Sequence, residues 1–476
     1  MALLTWSGLA FAQNAPPADA DVEVTAEPAP PAPAPSAAPS PIPAPAAAPP
    51  AAPPAATATV AAPAAPAPTA PPPPTTPSAA APAATPAEPF VELHGYAQVE
   101  FQSHQDSQDQ LQQNGTTPLN QNRFLVRRGR LIARRAWEYT SLEFELDGNT
   151  TNGPSFSLYR AEASAFYRLS EDRNQAPLVQ LTMGLFRLPF GMELPESPST
   201  RWYMERTQVS RALFPTEIDL GARLSGAYGP LRYAAALTNG EPAGEKSGFA
   251  LQDPNKAKDF TINAGATGKP LDAVTITGGV SAIKGEGFHP GTPATKSIAT
   301  WVDANENGVV DTGELVGSPG RAAVASQNFD RWALGGDLEV EVKTPIGATR
   351  VLGEVVAAKN LDRGFFPADP VSAGSDLREF GYFVGFTQEL TPYAVVGFRM
   401  DFYDPNADAT DKRAGKTLPA TNSVTTYSPL VGVTLPQRAR LVFQYDIIKD
   451  HLGRNLEGVP ADLKNNAWTL RMQVSL

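Results

Sequence analysis

Twelve consecutive residues, Asp303 to Glu314, carry oxygen donors at the spacing a hard divalent cation requires. Asp303, Asn305 and Asn307 occupy the first, third and fifth positions, Gly308 the sixth, Asp311 the ninth and Glu314 the twelfth. This is the twelve-residue calcium-loop pattern, in which the Val309 carbonyl supplies a further ligand, Asp311 acts through water and Glu314 uses both oxygens. Calcium is therefore the expected cofactor, in a structural role. No flanking helices are evident; the other reading is an acidic surface loop that binds nothing.

Bond-making chemistry is otherwise absent from the pattern. The chain has no cysteine, which removes thiol catalysis and Cys-zinc sites. His94, His104, His289 and His451 are scattered without metal-ligand spacing, and no nucleophile elbow or phosphate loop occurs. An enzyme is not expected. Charge is clustered instead: Arg201, Glu205, Arg206 and Arg211 share one segment, and Arg128, Arg130 and Arg223 lie on strand-like stretches.

The elements that must position these groups read as strands. At the carboxyl end Trp468, Leu470, Met472, Val474 and Leu476 alternate with Thr469, Arg471, Gln473 and Ser475. Similar stretches recur from Phe90 onward, separated alternately by tight turns and long connections, and sixteen are counted. Turns are expected at Ala136-Trp137, Gly229-Pro230, Gly268-Lys269-Pro270, Pro345-Ile346-Gly347, Thr391-Pro392 and Pro436. Residues 188–217 and 285–327 form the most conspicuous long connections. The face opposite the apolar one holds Arg223, Arg331, Arg399 and Arg471 with Glu100, Glu145, Asp337, Glu339 and Asp401. A dry core could not hold so many charges, whereas a water-filled channel solvates them. The expected fold is all-β: a sixteen-stranded antiparallel transmembrane β-barrel with a polar lumen, spanning residues 90–476.

Ahead of it, 26 of the 49 prolines lie before Phe90 in a segment of Ala, Pro, Ser and Thr. Such a segment cannot bury enough apolar surface to offset its ordering entropy. Residues 13–89 read as a disordered, polyproline-rich tether that could contact the cell wall. Residues 1–12 read as the end of a secretory signal, with Ala10-Phe11-Ala12 as its small-x-small site. No run of eighteen apolar residues offers a membrane helix. The net charge of −11 speaks against a nucleic-acid partner.

One region carries a family resemblance. Gly184-Leu185-Phe186-Arg187-Leu188-Pro189-Phe190-Gly191, Met204-Glu205-Arg206, Ala212-Leu213-Phe214-Pro215, Asp219 to Gly226 and Thr238-Asn239-Gly240 resemble the phosphate-selective porin O and P family. Phe124 to Arg130 looks like that family's arginine-bearing second strand. The resemblance implies a homotrimeric barrel in the bacterial outer membrane, a periplasmic N-terminal segment, passive diffusion of small solutes, and a third outer loop folded inward as a constriction. Residues 188–217 hold that place, where Arg201, Arg206 and Arg211 would supply positive charge beside Glu205, with Arg128 and Arg130 on the wall; the other reading is that these arginines pair with carboxylates and fix the loop. With only twelve lysines, the chain shows no lysine-rich phosphate collar. The expectation is mild anion preference, with phosphate and related anions as permeants. The alternative is a structural barrel that anchors the outer membrane to the cell wall.

Overall fold

The structure, a computed structural model, describes residues 91–106, 122–170, 172, 175–241, 253–413, 415–435, 438–451, 461–462 and 464–476. The signal-like and tether-like segments and the Pro436 turn lie outside the described residues.

Alternation builds strands, and the strands close on themselves. In chain order they are β1 (Glu92–His104), β2 (Arg123–Ala136), β3 (Thr140–Asn149), β4 (Ser155–Tyr167), β5 (Val179–Arg187), β6 (Ile218–Tyr228), β7 (Leu231–Thr238), β8 (Asp259–Leu271) and β9 (Val274–His289). Two short strands follow, β10 (Ile298–Trp301) and β11 (Leu315–Ser318), then β12 (Gln327–Thr344), β13 (Gly347–Lys359), β14 (Arg378–Thr391) and β15 (Ala394–Asp404). The short pair β16 (Thr410–Arg413) and β17 (Lys416–Pro419) precedes β18 (Val424–Leu435), β19 (Ala439–Asp450) and β20 (Ala467–Ser475). Sixteen of these form one closed antiparallel barrel, sealed where Tyr96 of β1 faces Ser475 of β20. Closure leaves no unpaired edge, the condition for a sheet surrounded by hydrocarbon.

The sixteen barrel strands agree with the sequence expectation; β10–β11 and β16–β17 were not anticipated. They form separate two-stranded sheets inside long connections. β9 and β12 also run further than expected, pairing out to His289 and Gln327. The extension carries no apolar alternation because it needs none beyond the apolar band. Gly268-Lys269-Pro270 is not the turn: β8 continues to Leu271 across a register shift between Gly268 and Leu271. Proline, lacking a ladder N–H, is accommodated at that irregularity.

Side chains sort by face. On β20, Thr469, Arg471 and Gln473 are buried inside while Leu470, Met472 and Val474 are exposed outside. The exposed outer residues include Leu181, Met183, Leu224, Ile262, Leu334, Val351, Val384 and Phe443. Trp137, Tyr139, Tyr167, Tyr228 and Tyr393 are exposed at the short-turn end, and Phe124, Phe156, Phe260 and Phe380 near the other. An apolar band between aromatic girdles is the surface a bilayer covers. The lumen is less uniformly polar than expected. Leu188, Phe190, Leu194, Val209 and Leu213 form a buried cluster with wall residues Ile283, Ala333, Val356 and Ala358. The apolar segments folded into the barrel require an apolar patch on the wall beneath them.

Candidate functional site: the inward-folded loop

Residues 188–217, between β5 and β6, cross the barrel interior. Their path turns at Gly191, whose φ of 61° is left-handed and whose notional Cβ would fall 2.2 Å from Glu354 Oε1. Only glycine allows both the angle and the approach. There the Gly191 N–H donates to Ser281 Oγ at 2.9 Å, and the Met192 N–H to Glu354 Oε2 at 2.8 Å. Further along, the Pro198 carbonyl accepts from Gln98 Nε2 at 3.0 Å and the Ser199 carbonyl from Gln473 Nε2 at 3.0 Å. The Tyr203 hydroxyl donates to the Phe386 carbonyl at 2.8 Å, and the Met204 N–H to Gln444 Oε1 at 3.0 Å. The loop is thus tied to β1, β9, β13, β14, β19 and β20. A short helix within it, α1 (Gln208–Leu213), packs so closely on β14 that a Cβ at Gly381 would lie 2.5 Å from Val209 Cβ.

A second connection, between β13 and β14, also folds inward. The Arg363 and Gly364 N–H groups donate to the Ala212 carbonyl at 2.9 and 2.8 Å. Asp362 accepts from the N–H groups of Gly364, Phe365 and Phe366 and from the Tyr403 hydroxyl at 2.6 Å. Sequence reading missed this segment. Its signal was the apolar content of an outer connection, Leu361 and Phe365-Phe366 beside Asp362 and Arg363.

Two glutamates of the first loop are held by arginines. Glu205 meets Arg127 at 2.7 Å, Arg128 at 2.7 Å and Arg471 at 3.2 Å. Burial alone would raise its carboxyl, but Arg127, Arg128 and Arg471 hold it well below the ordinary range. Arg471 also binds Glu100 at 2.6 Å, linking β20, β1 and the loop. Glu217 accepts from the Tyr159 hydroxyl at 2.8 Å and meets Arg206 at 3.2 Å and Arg187 at 3.5 Å. Burial again opposes ionisation, and Arg206, Arg201, Arg187 and Arg130 outweigh it, bringing the carboxyl down to about 2.

Arg127 was not among the sequence candidates, because strict alternation points it outward. The register between β1 and β2 shifts after Gln98, and this bulge lets Arg127 and Arg128 reach the same carboxylate. Adjacent arginines in an alternating strand were the available signal. Arg130 bridges Glu145 at 2.9 Å and Asp147 at 3.2 Å and lies 3.5 Å over the Tyr159 ring. Arg206 donates to the Ser210 and Phe214 carbonyls at 2.8 Å, and Arg211 is buried 5.1 Å over the Phe365 ring. These groups brace the loops.

Beside the loop a cavity of about 510 Å³ remains, and Arg201 and Arg223 are the sequence candidates that line it. Arg201 is held by Glu196 at 3.0 Å, Arg223 by Glu162 at 3.1 Å. Arg160, Arg187, Arg232, Arg350 and Arg399 also line it, so seven arginines face five carboxylates: Glu162, Glu193, Glu196, Asp337 and Glu339. No lysine is among the lining residues. The arrangement can select by size and charge.

The loop 303–314 is flanked by strands, β10 and β11, which pair from Ile298 with Ser318 to Trp301 with Leu315. Hydrogen bonds tie the loop together: the Asn307 N–H donates to Asp303 Oδ1 at 3.0 Å and the Gly308 N–H to Asp303 Oδ2 at 2.7 Å. Asn305 and Asn307 amides donate to Asp311 at 2.8 and 2.7 Å, while Glu314 accepts from the Trp301 indole at 3.0 Å. Among the described residues no three His, Cys, Asp or Glu groups alone form a metal cluster. The asparagine oxygens and the Val309 carbonyl would be needed to complete a calcium shell.

The chain is similar to several solved structures. OprB of Pseudomonas putida, in its high-pH structure, is 10% identical with a TM-score of 0.50, over 81% of this chain and 94% of that one. The outer membrane channel DcaP of Acinetobacter baumannii is 12% identical with a TM-score of 0.48, over 81% and 97%. Outer-membrane expressed OmpT of Vibrio cholerae is 9% identical with a TM-score of 0.46, over 81% and 97%. No protein-family model and no curated protein matches the chain. At such identities the likeness is one of fold, and the fold is a porin-like sixteen-stranded barrel.

Proposed function

We propose that this protein is a porin of the bacterial outer membrane, through which small solutes diffuse passively with a mild preference for anions. The observation that carries this is the charged cavity beside the inward loop, with seven arginines against five carboxylates. Each of the seven arginines has a carboxylate within 4 Å, so the excess positive field is small and selectivity should be modest. Guanidinium forks suit oxyanions, and phosphate belongs to the class admitted. Short turns would face the periplasm and long connections the exterior. Planar-bilayer recording tests the reading: stable conducting steps and a reversal potential favouring chloride are expected. Absence of steps sinks the channel, and a cation-selective potential overturns the anion preference.

Further parts of the reading are separate proposals. The Pro/Ala-rich segment serves as a periplasmic tether to the cell wall, so deleting residues 15–88 should weaken the envelope without changing conductance. The barrel assembles as a trimer, as the sequence resemblance implies, which light scattering in detergent measures. Calcium stiffens the 303–314 loop rather than taking part in transport.

A further inference from the structure

We propose that Arg232 and Asp337 form the charge pair that sets the sign of ion selectivity, and that two glycines hold Arg232 flat against the wall so that the passage stays open. The proposal deepens the channel reading above. Arg232 on β7 faces Gly265 on β8, Gly265 faces Gly279 on β9, and Gly279 faces Asp337 on β12. The four residues lie in one row across four strands. Three inter-strand steps of about 4.8 Å separate the outer two by roughly 14 Å. An arginine can span that gap to an aspartate only by lying along the wall, and side chains at either intermediate position would obstruct it. A Cβ at Gly265 would stand 2.6 Å from Arg232 Cζ; one at Gly279 would stand 3.1 Å from Arg232 Nη2 and 2.9 Å from Asp337 Oδ2. The two glycines form a trough in which the guanidinium rests.

The pair it makes is loose. Arg232 Nη2 is 3.6 Å from Asp337 Oδ1, and Nη1 reaches the Ala266 carbonyl at 3.4 Å. The Arg232 side chain is 35% exposed, whereas that of Asp337 is 2% exposed, with Oδ2 lacking a hydrogen-bond partner. Both line the cavity. Most other lining arginines are more deeply buried: Arg201 and Arg399 show 4% and 3% of their side chains. Arg232 therefore presents its charge to passing ions while Asp337 stays behind it. Arg350, 40% exposed, is held by Glu339 at 2.7 Å and so is closely neutralised. An ion passing about 7 Å from an unmatched charge in a water-like medium gains or loses close to RT, a factor of roughly three in occupancy.

The test is the chloride-to-potassium permeability ratio from reversal potentials of the full chain in planar bilayers. Arg232→Gln leaves Asp337 unmatched and should lower the ratio several-fold; Asp337→Asn should raise it. Gly279→Ala meets only side-chain ends and the Ala264 carbonyl at 3.3 Å, so it should lift the guanidinium into the passage, lowering conductance and raising the ratio. Heat-modifiable mobility on gels reports whether each barrel has folded, and Arg232→Lys, which keeps the charge, should hold the wild-type ratio. Ratios unchanged in Arg232→Gln and Asp337→Asn overturn the pair while leaving the channel standing. A wild type that conducts nothing overturns both. Should Arg232→Gln fail to fold, Asp337→Asn and Gly279→Ala decide alone, since an unchanged ratio in both refutes the proposal.

Discussion

Replacing Glu217 by Gln removes one negative charge from the middle of four guanidinium groups. With its carboxyl drawn from 4.5 down to about 2, the ionised side chain contributes on the order of 3 kcal/mol to the folded state. That agrees with the roughly 3–5 kcal/mol expected when one partner of a buried ion pair is removed. The sign is set by the depressed value. The contribution is complete above about 4.5 and disappears as pH falls through about 2, with roughly half remaining near pH 3. Glutamine can still accept from the Tyr159 hydroxyl, so the difference between the two proteins isolates the charge. Urea unfolding in lipid vesicles, followed by tryptophan fluorescence, should show Glu217→Gln about 3 kcal/mol less stable at pH 7. The gap should close when both are measured near pH 2. A gap below about 1 kcal/mol at pH 7, or one that persists unchanged at pH 2, would refute the claim that arginines hold the inward loop through this carboxylate.

Gly191→Ala should strain the left-handed turn by about 1–2 kcal/mol and displace Glu354, giving a lower melting temperature and an altered unit conductance. Wild-type values for both would exclude Gly191 as the pivot. Titration calorimetry should detect calcium binding to the wild-type protein and none to Glu314→Gln; heat of equal size in both would assign the cation elsewhere.

Much of the architecture was readable along the chain because a barrel strand announces itself locally. Period-two alternation in 467–475 or 332–342 depends on neighbours alone, and so does the contrast between Gly229-Pro230 and the long stretch 188–217. The inward position of Arg223, Arg399 and Arg471 followed from the same parity. Arg127 was hidden because a single bulge after Gln98 breaks that parity, and nothing in the alternation marks where a register shift falls. The length of β9 and β12 was hidden because strands outside a bilayer need no apolar face. The two glycines beneath Arg232 carry meaning only once β7, β8, β9 and β12 are aligned.

Composition and parity alone determined that this chain forms a closed all-β barrel with a charged interior and a proline-rich segment ahead of it. Those properties sum over residues or repeat every second residue, and no distant contact is needed to state them. Only the tertiary structure decided which arginines face the cavity and which brace the loops. That choice rests on contacts such as Met192 with Glu354 and Arg471 with Glu205, whose partners are remote in sequence. The free energy of a guanidinium depends on which carboxylate closure brings within about 3 Å of it, a distance the order of residues does not contain.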